Sequence, residues 1–267
     1  MERANVDTTE TITHVGLCAG YGGIELGLKR VLPTLRSVAL CEIEAFAIAN
    51  LVAKMEAGLM DAAPVWTDLK TFPWESFRDR VDILSGGYPC QPFSAAGKRL
   101  GTEDERHLWP HIAKGIAILK PRVCLFENVE GHITLGLSTV ISDLEEMGYK
   151  VSWGIFSASE CGAPHQRKRV FILAHDQSER VQRLWAAWKQ ESSAHEQQKL
   201  PVRSGPGTDW SDGTTEPILL RMDDGGSDWV DRMRLLGNGV VPACTALAFT
   251  TLLNEQRNTR HLAGDAS

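Results

Sequence analysis

From residue 14 to residue 174 the chain repeats one pattern. A short apolar run is followed by a turn or an unusual motif, and then by a stretch with apolar residues at helical spacing. The spacing predicts strands at 14–19, 37–41, 81–85, 123–126, 149–157 and 169–174, and a further strand ending at Asp68. It predicts helices at 24–31, 45–55, 109–119 and 137–147. Strands alternating with helices of this length point to an α/β fold, with a mostly parallel sheet flanked by helices. Ligands of such sheets bind at the carboxyl ends of the strands, and every glycine-rich or otherwise unusual motif here is expected at such an end.

The pattern stops near His175. Up to about residue 228 the chain is polar, rich in Ser, Gly, Asp and Gln, and carries Trp185, Trp188, Trp210 and Trp229 without clear periodicity. Only 180–198 could form a charged helix. Regular structure returns at 232–253, and the polar tail 254–267 is expected to fray. This divides the chain into a main domain at 14–175, a small irregular region at 176–229 and a returning segment at 230–254. With 267 residues there is room for one large domain carrying a small lobe.

Composition narrows the class. Apolar residues make up 43% and charged residues 23%, as in soluble globular proteins. No apolar run approaches the roughly 20 residues of a membrane helix, and the polar start at 1–13 does not read as a signal peptide. A soluble, cytoplasmic protein is expected. The six cysteines include no C-x-x-C pair, which argues against zinc and against a disulfide framework; no metal is expected. The net charge of −6 argues mildly against a nucleic-acid partner. Local clusters argue the other way: Lys98 with Arg99, Arg106 with His107, and the stretch 165–169.

Two sets of residues suggest chemistry. The first is Ala19-Gly20-Tyr21-Gly22-Gly23 between a strand and a helix, with Glu42 at the end of the next strand and Asp68 after the third. Glycines let a ligand approach the backbone, and a carboxylate in the Glu42 position can bind ribose hydroxyls. The third glycine of a dinucleotide fingerprint is missing, because Glu25 stands there. That favours a cofactor without a pyrophosphate over a nicotinamide dinucleotide. The bland alternative is a tight turn with two surface acids.

The second set begins at Gly86-Gly87-Tyr88-Pro89-Cys90-Gln91-Pro92-Phe93-Ser94. A cysteine between two prolines, just past a buried strand, suits an exposed nucleophile better than a core position. The loop continues through Lys98, Arg99 and Arg106, with glycines at 97 and 101 that could hinge it over an anionic substrate. Glu127 follows the next strand, where it could hydrogen-bond a ring nitrogen and an exocyclic amine. Arg167 and Arg169 come just before another strand, at alternate positions that point both guanidinium groups the same way. Each alone reads as well as a strand-end cap or a solvated face. Their succession along one sheet favours a shared site.

These motifs resemble those of the DNA (cytosine-5) methyltransferases, in the family's order. Residues 86–94 resemble its catalytic Pro-Cys motif, 18–23 its Phe-Ala-Gly-x-Gly-Gly, and 127–129 its Glu-Asn-Val. Residues 162–169 resemble its Gly-x-Pro-Gln-x-Arg-x-Arg, and 237–242 its closing Gly-Asn-Ala-Val. Cys18 replaces an aromatic that lies against the adenine, and His165 stands in the place of a glutamine. The recognition region is short, which resembles phage- or prophage-borne members.

The resemblance implies a Rossmann-like, class I methyltransferase fold with a small target-recognition lobe at 176–229. It implies S-adenosylmethionine as cofactor and duplex DNA as partner. Cys90 would be the nucleophile, Glu127 the carboxyl that holds the base, and Arg167 and Arg169 its neighbours. Ala19, Gly20, Gly22, Gly23, Glu42, Ile43, Asp68, Leu69, Pro89 and Asn238 would line the cofactor site. Gln91, Ser94, Lys98, Arg99 and Arg106 would contact DNA, with Arg180, Arg183 and Arg203 as further candidates. A monomer is expected, and a companion restriction endonuclease is a candidate partner. Two alternatives stay open: an RNA cytosine-5 methyltransferase, and a weak or inactive relative that only binds DNA. The motif Pro89-Cys90-Gln91 speaks for the DNA form, and turnover with the cofactor and duplex DNA separates enzyme from binder. No Asp/Asn-Pro-Pro-aromatic motif of amino-methylating enzymes is present.

Overall fold

A computed structural model describes residues 11–89, 108–163, 166–178, 181 and 239–264, with side chains of the last stretch through Gln256. Among them, seven strands form one sheet in the order β3-β2-β1-β4-β5-β7-β6. The strands are β1 (Ile12–Leu17), β2 (Leu35–Cys41), β3 (Val65–Trp66), β4 (Ile83–Gly86), β5 (Val123–Val129), β6 (Lys150–Ser157) and β7 (Lys168–His175). The helices are α1 (Gly23–Val31), α2 (Ala45–Glu56), α3 (Trp109–Leu119), α4 (His132–Leu135), α5 (Leu137–Glu146) and α6 (Pro242–Gly264).

Two apolar layers sandwich the sheet. On one face Leu17, Leu84, Cys124, Phe126, Val170 and Ile172 pack against α3, α5 and the tryptophans Trp74 and Trp109. On the other, Ile83, Val123, Leu125, Phe171 and Leu173 pack against Ile24 and Leu28 of α1 and Phe249 and Leu252 of α6. Successive strand residues alternate between these layers, so an unbroken apolar run is buried on both sides. Gly115 of α3 lets the helix close on Trp74: a Cβ there would lie 2.6 Å from the indole ring.

The strands β3, β2, β1, β4 and β5 pair in parallel, as the alternating pattern predicts. β7 departs from it, running antiparallel to both β5 and β6. The cause lies in the connection. Ten residues lie between Ser157 and Lys168, those described forming a short turn at Ala158–Cys161 and no crossover helix, and a parallel return needs a dozen or more residues. Residues that begin β7 therefore lie beside the carboxyl end of β5, with Arg169 paired to Val129. This corrects the expectation that each motif follows its own strand: the arginine motif opens its strand, and reaches the ligand edge because the strand is reversed.

The tail also departs from expectation. Instead of fraying from residue 254, α6 continues to Gly264. Gln256 is buried against the sheet, where its Nε2 donates to Ser152 Oγ at 2.8 Å and to the carbonyls of Lys150 and Leu173 at 3.4 Å. Lys150 Nζ donates back to the Gln256 carbonyl at 3.3 Å. The expected region at 176–229 and helix at 180–198 lie outside the described residues, apart from 176–178 and Val181.

Candidate active site

The cofactor turn sits at the carboxyl end of β1. Gly20 and Gly22 adopt left-handed backbone (φ 54 and 88), and Gly22 opens α1. Glycine tolerates that conformation without strain. Above Gly20 the space is open, since a Cβ would meet nothing within 4 Å. Glu42 directly follows the neighbouring strand and, among the described residues, is held by backbone N–H groups. Its Oε2 accepts Gly20 N–H at 2.7 Å, and its Oε1 accepts the N–H groups of Ile43 and Glu44 at 2.8 and 2.9 Å. A carboxylate oxygen accepts more than one hydrogen bond, so Glu42 keeps capacity for hydroxyls. Beside it Ile43 is 72% exposed, an apolar surface in the position to cover a flat ring. Asp68 caps the short turn Leu69–Thr71 by accepting Lys70 N–H at 2.9 Å, and Leu69 is buried. Open glycine backbone, a pinned carboxylate and an exposed apolar side chain fit an adenosine-bearing cofactor.

At the adjoining edge, Glu127 of β5 is buried. Arg169 Nε lies 2.7 Å from its Oε1. The sheet register explains the contact. Glu127 is opposite Phe171, so Arg169 is its diagonal neighbour on the same face. Diagonal pairs are within reach of long side chains, and a one-residue slip would turn one group to the other layer. Burial pushes the Glu127 carboxyl up from its ordinary 4.5 to about 7, against the pull of Arg169 and Arg167. Burial, and then the charge of Arg169, lower Arg167 from its usual range. An acid of this kind can hold a proton or give it up near neutrality, which suits general acid–base work.

The strand end that leads to Cys90 is anchored on three sides. Asn128 Nδ2 donates to the Tyr88 carbonyl at 3.1 Å, and Tyr88 Oη lies 3.0 Å from Nε2 of the buried His132 on α4. The Tyr88 ring packs on Trp109 and Phe126 at 5.6 and 5.9 Å between centroids. Just before it, a Cβ on Gly87 would lie 3.1 Å from Glu127 Oε2, so the turn after β4 presses on the carboxylate. Pro89 is the last described residue there. Cys90, Gln91, Ser94, Lys98, Arg99, Arg106, Asn238, Arg180, Arg183 and Arg203 lie outside the described residues.

Of the sequence-predicted residues that are described, Glu127, Arg167 and Arg169 come together. Ala19, Gly20, Gly22, Gly23, Glu42 and Ile43 gather around the glycine turn. Three residues were missed by sequence reasoning. Lys54, wholly buried on α2, donates to the Tyr21 carbonyl at 2.6 Å. The Tyr21 hydroxyl donates to the Val240 carbonyl at 2.6 Å. His132 carries Tyr88. Only Lys54 left a signal, as a lysine within the otherwise apolar run of α2.

Comparison with known proteins agrees with this geometry. The family model for C-5 cytosine-specific DNA methylases matches residues 12–225. The type II methyltransferase M.PspPI of Psychrobacter sp. is 36% identical over 182 residues, covering 64% of this chain and 41% of the relative. M.NgoMIV of Neisseria gonorrhoeae is 34% identical over 166 residues, covering 61% and 51%. The chain thus spans about half or less of the length of these curated relatives. Among solved structures, the Dnmt2 methyltransferase of S. pombe superposes with a TM-score of 0.51 at 23% identity, covering 62% of this chain and 51% of that one, a likeness of fold. The match over most of its length places this chain in the family of C-5 cytosine-specific DNA methylases.

Proposed function

We propose that this protein transfers a methyl group from S-adenosylmethionine to C5 of a cytosine flipped out of duplex DNA, with Cys90 bonded to C6 during the reaction. The observation that carries the reading is Glu127. It is a buried carboxyl with raised proton affinity, paired with Arg169 and within the field of Arg167, at the sheet edge shared by the glycine turn and the strand that leads to Cys90. C5 and C6 are inaccessible in a stacked duplex, so the base must leave the helix.

When bound, S-adenosylmethionine supplies an electrophilic methyl group on a sulfonium. Gly20, Gly22 and Gly23 would admit it to the backbone, Glu42 would accept its ribose hydroxyls, and Ile43 would cover its adenine, with Ala19, Asp68, Leu69, Pro89 and Asn238 around it. The Cys90 thiolate adds to C6, and the electron pair displaced from the C5–C6 bond moves into the ring. Glu127 hydrogen-bonds N3 and the exocyclic amine and so stabilises that charge. Arg169 and Arg167 hold the carboxyl in place. The electron-rich C5 would take the methyl group from the sulfonium, releasing S-adenosylhomocysteine; loss of the C5 proton to solvent then restores the C5–C6 double bond and expels the Cys90 thiolate.

Duplex DNA as substrate belongs to the same proposal, with Gln91, Ser94, Lys98, Arg99 and Arg106 as contacts and 176–229 as the region that reads the target. A cytoplasmic monomer, working beside a restriction endonuclease, is the setting that fits type II relatives.

The test is a denaturation-resistant adduct. The protein is incubated with S-adenosylmethionine and duplexes carrying 5-fluorocytosine, whose fluorine blocks release from C5. An adduct that disappears in Cys90→Ser supports the reading. No adduct on any duplex, or adducts on RNA alone, overturns it.

A further inference from the structure

We infer that Tyr21 is a positioning residue that locks the cofactor turn to the closing segment at 239–240, and that Gly239 is glycine because the Tyr21 ring fills its side-chain space. The inference rests on the function proposed above and adds to it what holds the methyl donor's site in register with the base.

The turn poses a physical problem. Gly20 and Gly22 give it the left-handed backbone it needs, and glycine is the residue with the most freedom to lose. Methyl transfer needs donor and acceptor held in a near-attack geometry, where a misplacement of about 1 Å costs about 100-fold in rate. A glycine turn must therefore be braced from elsewhere.

Tyr21, between the two glycines, supplies the brace at three points. Its side chain is 5% exposed and runs inward to the start of α6, where the hydroxyl donates to the Val240 carbonyl at 2.6 Å. Its own carbonyl accepts the Lys54 ammonium at 2.6 Å, and that ammonium also lies 4.8 Å from the centre of its ring. The phenol is also within electrostatic reach of Arg167 and Glu127. One side chain thus touches the cofactor turn, the segment that follows Asn238, and the field of the catalytic carboxyl.

Gly239 is the complement. A Cβ there would lie 1.6 Å from Tyr21 Cε1, 2.5 Å from Cζ and 2.7 Å from Cδ1. No L side chain fits while the ring stays. The requirement is one of room, because the ring stands where the Cβ would be. A second contact closes the same seam, because a Cβ on Gly23 would lie 2.1 Å from the Val240 carbonyl oxygen.

The test uses the full chain and S-adenosylhomocysteine, which binds without reacting, by calorimetry, with thermal melting in parallel. Gly239→Ala should weaken binding about tenfold, because overpacking moves ring and turn apart. Tyr21→Phe keeps the ring and loses one hydrogen bond, so about three- to tenfold is expected. The double variant Tyr21→Leu/Gly239→Ala removes the clash and should bind several-fold more tightly than Gly239→Ala. A general loss of stability would not give that rescue. Equal weakness of the double variant and Gly239→Ala, unfolding of both, or unchanged binding by Gly239→Ala each overturns the inference. If the wild-type chain binds no S-adenosylhomocysteine, the proposed function fails first, and the inference falls with it.

Discussion

Glu127 makes the stability of this fold depend on pH in a direction that can be worked out beforehand. In the unfolded chain its carboxyl titrates near 4.5, and in the folded protein burial lifts it to about 7. Between those values the unfolded chain has released a proton that the folded protein keeps, so rising pH favours unfolding. The contribution is full below 4.5 and lost as pH rises through 7. At 1.36 kcal/mol per pKa unit it amounts to about 3 kcal/mol, most of which falls between pH 5 and 8. Replacing the residue by Gln removes the titration and keeps the shape. The unpaired Arg169 that results adds a cost that does not vary with pH, because a guanidinium stays charged. Urea unfolding of both proteins at several pH values between 5 and 8 gives the difference directly. Wild type should lose about 2–3 kcal/mol relative to Glu127→Gln across that window. A difference that stays flat, or that changes in the opposite sense, would refute the raised proton affinity of Glu127. The proposed hydrogen bond to N3 would then lose its physical basis.

Two further outcomes follow from packing and pairing. Gln256→Ala should cost about 1–2 kcal/mol, since it strips the bond to Ser152 and the two carbonyl contacts; amide hydrogen exchange after residue 254 should then quicken, whereas unchanged protection would mean that the tail is held by something else. Gly115→Ala drives a methyl group to within 2.6 Å of the Trp74 ring, and a loss of about 1–3 kcal/mol in chemical denaturation is expected; an unaffected midpoint would contradict that close packing.

The candidate site owes its form to a reversal. Four chain segments reach the candidate site at the ends of β1, β2, β4 and β5, as parallel topology dictates. The fifth, with Arg167 and Arg169, gets there by starting a strand that runs the other way. The connection from β6 is too short to carry the chain back for another parallel strand, and the same shortness sets the Arg169 guanidinium against Glu127. Beneath this edge a second buried pair, Glu25 and Lys54, sits under the glycine turn. Burial lifts Glu25 to about 7 and lowers Lys54 to about 8, each partly restrained by the other's charge.

What the sequence determined by itself was local and periodic. Apolar spacing placed the seven strands and helices α1, α2, α3 and α5 to within a few residues, because side-chain period follows directly from backbone geometry. The glycine turn, Glu42 and Glu127 were legible because their chemistry shows at single positions next to strand ends. The direction of β7 and the anchoring of α6 by Gln256 were not legible, since strand direction depends on connection and pairing, and a polar residue in a polar tail carries no mark of burial. Nor was the fit of Tyr21 to Gly239, 218 positions away. A tyrosine in a turn and a glycine near the end of the chain each have many local explanations. Only in the folded protein do a ring edge and a missing Cβ occupy the same place, because mutual exclusion between distant atoms is a property of packing and leaves no period in the sequence.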